Sequence, residues 1–326
     1  MSAAAPRLAG LDALRGIAAL LVMGLHANAV FGGLGAFSKG YLGVDFFLML
    51  SGFLMARITE PRLAAGLLPQ RFMVARYKRF WGTVALGSLI GIPYLWIRAG
   101  GEWWPFLPAL LANFALLPWP VANLLFALNI PAWTIFAELV ANGAHVFALR
   151  HLTNRWLAVL TIVLGGLTVW VAMAWGSLDV GARPGHIWAA IPRVFFAYCL
   201  GIGLWRWRQE RVLLPLPAAV VLAAMSIAIM GSWYGDWRTW QFDLAFVVLL
   251  CPLVISAATA ITRQTRLGWL SAAISFPLFA VHLPILEAVR ELGGSKWQAI
   301  PLALATALTI VWWTNRRDAR KALAKT

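Results

Sequence analysis

The chain is 326 residues long, 61% hydrophobic and only 12% charged, with a mean hydropathy of +0.77. A water-soluble domain carries about 25% charged residues, so these proportions exclude a soluble globule and, with it, the nucleic-acid binding that a net charge of +15 would otherwise suggest. Apolar stretches of span length recur from end to end, which predicts an all-α, polytopic bundle of about ten transmembrane helices forming one membrane-embedded domain over residues 1–326.

The first predicted span, near 11–31, opens LDALRGIAALLVMGLHA and carries Asp12, Arg15 and His26. His26 stands about 16 Å of helix rise above Arg15. Ala27-Asn28-Ala29 gives a cleavable leader as the rival reading of this stretch; Asp12 ahead of the apolar core and the parity of the later loops argue against it. The second span, 41–59, contains GVDFFLMLSGFL with Asp45 and Ser51. Arg57, Arg62, Arg71, Arg76, Lys78 and Arg79 follow, with Arg76 and Arg79 three apart and so on one face of a helix entering the third span at 80–98.

Residues 103–130 are apolar but broken by Pro105, Pro108, Pro118 and Pro120. Two full crossings between 103 and 150 would put Arg150 and Arg155 on the side opposite the other basic clusters. The segment is therefore predicted to be a non-spanning or re-entrant outer element. Spans near 131–149, 157–175, 187–205, 213–231, 241–261, 268–290 and 297–314 complete the ten.

One side then collects Arg7, Arg15, the six residues of the second loop, Arg150, Arg155, Arg206, Arg208, Arg211, Arg263, Arg266 and the tail from Arg316 to Lys325. The other keeps Lys39, Arg98, Arg183, Arg238 and Lys296, twenty basic residues against five. The positive-inside rule makes the first side, with both termini, cytoplasmic, as in a multi-pass protein of a bacterial inner membrane. Cys199 and Cys251 lie inside apolar runs and read as packing residues, with neither a disulfide nor a metal site to be inferred.

Ionisable groups within spans are costly and face a partner or a cavity. His26, Asp45, Glu138, Arg193 and His282 all fall in the predicted outer half, an arrangement expected of a single polar hollow open to the outer side. A helix-to-helix hydrogen bond is the plainer account of any one histidine. Asp45 read alone is a counter-ion for Arg193, and His145 is an interfacial residue. At the cytoplasmic mouth Arg15, Arg76, Arg79 and Lys78 suit a phosphate-bearing ligand, although topology and anionic lipid account for basic charge there as well. Trp133, with Trp103, Trp104, Trp119, Trp233, Trp237 and Trp240, crowds the outer loops and span ends. An interfacial aromatic belt and stacking platforms for sugar rings both fit this pattern.

Five stretches, LDALRGIAALLVMGLHA, GYLGVDFFLMLSGFLMARI, ARYKRFW, PAWTIFAELVANGAH and ISFPLFAVHLPI, resemble the integral-membrane acyltransferase 3 family, and the resemblance runs over nearly the whole chain. It departs from the family at Thr134, where serine is common, and at Phe276 and Phe279, which replace common tyrosines near His282. The resemblance implies transfer of an acyl group, commonly acetyl, from cytoplasmic acyl-coenzyme A to a hydroxyl of a carbohydrate acceptor such as an exopolysaccharide or lipid-linked glycan. In that reading His26 matches the essential histidine, and Arg15, Arg76 and Arg79 match the positions that hold the coenzyme A phosphates, with Lys78 beside them.

The expected mechanism has His26 as general base or transient acyl carrier, with Asp45 or Glu138 orienting the ring. Ser51, Asn28, Trp133 and Ser275 are candidate oxyanion donors, and Trp133, His282, Arg193 and Ser51 candidate acceptor contacts. The alternative from another class is a proton-coupled transporter or flippase for a glycan or small metabolite, which needs no coenzyme A and no Arg76 or Arg79. A purely structural membrane subunit leaves the ionisable groups unexplained.

Overall fold

A computed structural model describes residues 8–98, 100–102, 104–121, 123–209 and 211–323, and the side chains of all of these except 105, 318 and 321–323. Arg7, Trp103 and Lys325 of the sequence reading lie outside the described residues. Within them the chain forms a bundle of eleven helices. These are α1 (Ala9–Phe31), α2 (Leu42–Leu54), α3 (Pro69–Arg98), α4 (Leu107–Phe114), α5 (Ala132–Phe147), α6 (Asn154–Trp175), α7 (Ile187–Arg208), α8 (Ala218–Tyr234), α9 (Trp240–Ala258), α10 (Arg266–Glu291) and α11 (Lys296–Leu323). Helix α2 continues through a π turn at Met55–Thr59 and a last turn at Glu60–Ala64, and α9 contains a second π turn at Phe246–Leu250.

Among the described residues eight helices are long and apolar enough to cross a membrane. The other two predicted spans are present as shorter helices, α5 with 16 residues and α8 with 17. The described residues 104–121 and 123–130 do not span. Among them the one helix longer than a turn, α4, has eight residues, and the chain dips into the protein and returns. At the bottom Tyr77 Oη donates to the Ala115 carbonyl (3.0 Å) and Trp81 Nε1 to the Phe114 carbonyl (2.9 Å). On the return Tyr94 Oη donates to the Ala127 carbonyl (2.6 Å). Residues 77 and 94 are separated by about 25 Å of helix rise, so the excursion is deep. Irregular backbone at such depth needs internal partners. Asn113 supplies three, donating to the Leu117 and Leu125 carbonyls and accepting from the Leu128 amide.

Helix α2 is the most enclosed span, and α6 and α11 are the most peripheral, which fits their continuous apolar surfaces against lipid. Two close approaches set the centre of the bundle. Gly16 of α1 lies against Ser271 of α10, where a Cβ would collide with the serine side chain, and Ser271 Oγ donates to the Ala13 carbonyl (3.0 Å). Likewise Gly52 of α2 and Gly201 of α7 face each other's backbones at Tyr198 and Met49. The small residues replace side-chain volume with backbone contact, the usual device for helices in lipid. Helix α10 also contains Pro277 and Pro284. Pro284 has no N–H to give the Ala280 carbonyl, and the buried Asn129 Nδ2 of the re-entrant segment takes that carbonyl instead (2.8 Å).

Candidate active site

The registration of α1 on α10 that begins at Gly16 and Ser271 carries His26 to His282. His26 Nδ1 lies 2.8 Å from His282 Nε2, with the ring centroids 5.0 Å apart. His282 Nδ1 lies 2.9 Å from the Leu278 carbonyl, one turn back on its own helix. A carbonyl only accepts, so His282 Nδ1 bears the hydrogen and, in the neutral ring, Nε2 is an acceptor. His26 Nδ1 must then donate to it. The consequence is chemical: His26 Nε2 keeps its lone pair, held in a fixed direction. His282 is fully buried, whereas His26 is half-buried.

This corrects the expected role of the two carboxylates. Asp45 forms a fully buried, two-pronged pair with Arg193, at 2.9 Å to Nε and 2.6 Å to Nη2. The remaining Arg193 donors reach the Val180 and Tyr41 carbonyls. Asp45 thus bonds Arg193 and not the imidazole, and Asp45 and Arg193 tie α2 and α7 to the loop before α7. Glu138 likewise pairs with Arg76 (2.7 Å) and accepts from Ser51 Oγ (2.8 Å). The ring partner of His26 is a second histidine.

Ser51, Glu138 and Arg76 line a cavity of about 470 Å³ between α2, α3, α5 and α10. Its mouth is basic, with Arg15 and Arg79 joined by Arg62 and Arg71. Deeper in, Ser275, Thr134 and Ile135 lead to Phe47, Phe276 and Phe279. Phe279 precedes His282 by one helical turn, about 4.5 Å of rise. Lys78 is exposed and takes no part in the lining. Ser275 Oγ is turned back to the Ala272 carbonyl and Asn28 Oδ1 accepts from the Leu34 amide. Trp133 packs on Gly181, away from the cavity.

The single outer hollow expected to gather five ionisable residues is therefore three separate arrangements. His26 pairs with His282, Asp45 with Arg193, and Glu138 turns toward the basic mouth. His145, read as interfacial, is fully buried within the protein, with Nε2 at 3.1 Å from Glu60, which also holds Arg206. A further buried network was not foreseen. Lys39 pairs with Asp243 (2.6 Å), while Tyr41 Oη (2.7 Å) and the Leu178 amide (2.9 Å) donate to the same carboxylate. Asp243 sits three residues inside the predicted span at 241–261, so the rule that drew attention to Asp45 applied to it equally. At the end of the bundle away from the arginines, Arg98 pairs with Glu287 and Glu291 and joins α3 to α10.

Comparison with known proteins agrees with this architecture. The chain is 31% identical to "Protein 2 in picA locus" of Rhizobium radiobacter over 50% of its own length and 93% of that protein. It is 26% identical to BcsY of Komagataeibacter xylinus, a protein whose given name is that of a membrane-bound transacylase, over 90% of this chain and 68% of the relative. No solved structure matches. The Acyl_transf_3 profile, described as an acyltransferase domain, matches residues 8–316, and the chain belongs to that family of multi-pass membrane acyltransferases.

Proposed function

We propose that the protein moves an acyl group, acetyl by the family's habit, from cytoplasmic acyl-coenzyme A to a hydroxyl of an extracytoplasmic carbohydrate. In this reading it sits in a bacterial inner membrane with both termini and the arginine mouth in the cytoplasm. The observation that carries it is the His26–His282 pair standing one turn beyond a cavity whose mouth is lined by Arg15, Arg62, Arg71, Arg76 and Arg79. Guanidinium groups suit the phosphates of the donor, which stay at the mouth. The narrow pantetheine arm runs along the apolar wall and brings the thioester toward His26.

The acceptor hydroxyl gives its proton to His26 Nε2 as its oxygen bonds the thioester carbonyl carbon. The resulting imidazolium keeps its Nδ1–H on the neutral His282 Nε2, which holds the ring's tautomer and orientation as the carboxylate does in a serine-hydrolase triad, here without that group's negative charge. Collapse of the tetrahedral adduct breaks the C–S bond, and the thiolate takes the proton from Nε2. Charge and protons balance, and the pair returns neutral. Transfer by way of an acyl group on Nε2 would use the same atom, and single-turnover trapping without acceptor separates the two routes.

The reading is tested in membrane vesicles from a host strain lacking the gene, supplied with radiolabelled acetyl-coenzyme A and complemented with variants. His26→Ala should abolish label in the carbohydrate fraction, and His282→Ala should lower it about 10²-fold or more. Full activity in His26→Ala would overturn the proposal. Substrate counterflow without coenzyme A would favour a transporter.

A further inference from the structure

The cavity stops short of the histidines it is proposed to serve. At its inner end Phe279 of α10 meets Phe47 of α2 edge-on, with ring centroids 5.7 Å apart, whereas Phe276 of α10 meets Phe80 of α3 at 5.1 Å nearer the mouth, where Arg76 lies over the Phe80 ring. Phe279 also lies against His282, at 5.9 Å and 61°. The same ring is thus a wall of the cavity and a neighbour of the histidine pair, and it is buried. A thioester rising from the arginines meets this ring before it meets His26.

We infer that Phe279 determines the size of the transferred acyl group, because its ring, packed on Phe47, stands between the cavity and His282 and so lets a short acyl chain pass and stops a long one. The inference rests on the acyltransferase reading above. Packing in the interior is close, so an added methylene beyond the stop must displace a ring that is held on two sides. Phe47 is half-buried and Phe279 buried, so movement of the gate falls to Phe47 while Phe279 fixes the limit. Discrimination by an apolar wall amounts to a factor of about 10 to 200 per methylene, enough to separate two-carbon from six-carbon donors.

The test uses acetyl-, butyryl- and hexanoyl-coenzyme A in the vesicle assay, with label followed into the carbohydrate fraction. The wild-type protein should prefer acetyl to hexanoyl by at least about 100-fold. Phe279→Ala should raise the hexanoyl-to-acetyl ratio by at least about tenfold, and Phe279→Leu, which keeps most of the packing, should raise butyryl selectively. Phe279→Leu also covers the case in which Phe279→Ala fails to accumulate. An unchanged chain-length profile in an active Phe279→Leu protein would overturn the inference while leaving the acyltransferase reading intact. Absence of transfer from every coenzyme A thioester in the wild-type protein would instead overturn that reading.

Discussion

At the scale of single residues, the centre of the molecule is a set of polar side chains that each solve a problem of burial. Arg193 and Asp45 are within 1% of full burial and satisfy one another. Removing one partner leaves an uncompensated charge, so Asp45→Ala and Arg193→Ala should each cost about 3 to 5 kcal/mol of stability. The double variant should cost clearly less than the two together, as measured by thermal unfolding in detergent; additive losses would contradict the pairing. The sequence made these residues conspicuous because charge inside an apolar run stands out, and that rule singled out His26, Asp45, Glu138, Arg193 and His282 correctly as buried or half-buried groups. It named one partner rightly, Arg193 as the counter-ion of Asp45, but could not choose between that reading and a catalytic one. Asp45 was expected to serve the imidazole, yet depth in a helix says nothing of azimuth, and azimuth decides that it faces Arg193. His282, expected at the acceptor, touches His26, a partner that the sequence did not suggest, because both helices advance in step from Gly16 and Ser271.

Among the elements, the pairing of α1 with α10 governs the site, and its determinant is a hydrogen atom. A methyl group at Gly16 would overlap Ser271 Oγ and press on the Ser271 carbonyl. Gly16→Ala should therefore reduce transfer by about tenfold or more, since a displacement of about 1 Å at a catalytic pair is enough to do so. Ser271→Gly in the same chain should restore part of the loss. Gly166 of α6, with nothing within 4 Å of where a Cβ would stand, provides the contrast: Gly166→Ala should stay within about 1 kcal/mol of the parent. Helix positions were legible because about 20 apolar residues are needed to cross lipid. The re-entrant course of 103–130 was legible from its prolines and from charge parity. Its tethers, Asn113, Tyr94 and Asn129, were not, since a lone amide or phenol in an apolar stretch carries no label for the carbonyl it will meet.

For the whole molecule, charge is divided between the two ends. Arg15, Arg62, Arg71, Arg76 and Arg79 converge on one cavity, while at the other end Lys39 and Arg98 are neutralised by Asp243, Glu287 and Glu291. In the proposed reaction a polyanionic donor would be drawn to this mouth. Arg79→Ala should raise the KM for acetyl-coenzyme A roughly tenfold with a smaller change in kcat, because a charge-assisted contact to phosphate is worth about 1.5 to 3 kcal/mol and is made in ground and transition states alike. A fall in kcat with KM unchanged would place Arg79 elsewhere in the reaction.

The proposed transfer requires a thioester to reach His26 through the protein from the arginine end. Sealed vesicles of the two orientations, given radiolabelled acetyl-coenzyme A only on the outside, test this directly. Label should enter the carbohydrate fraction only when the arginine mouth faces the added donor, and it should vanish in His26→Ala. Equal incorporation in both orientations, or incorporation only when the opposite end faces the donor, would contradict it.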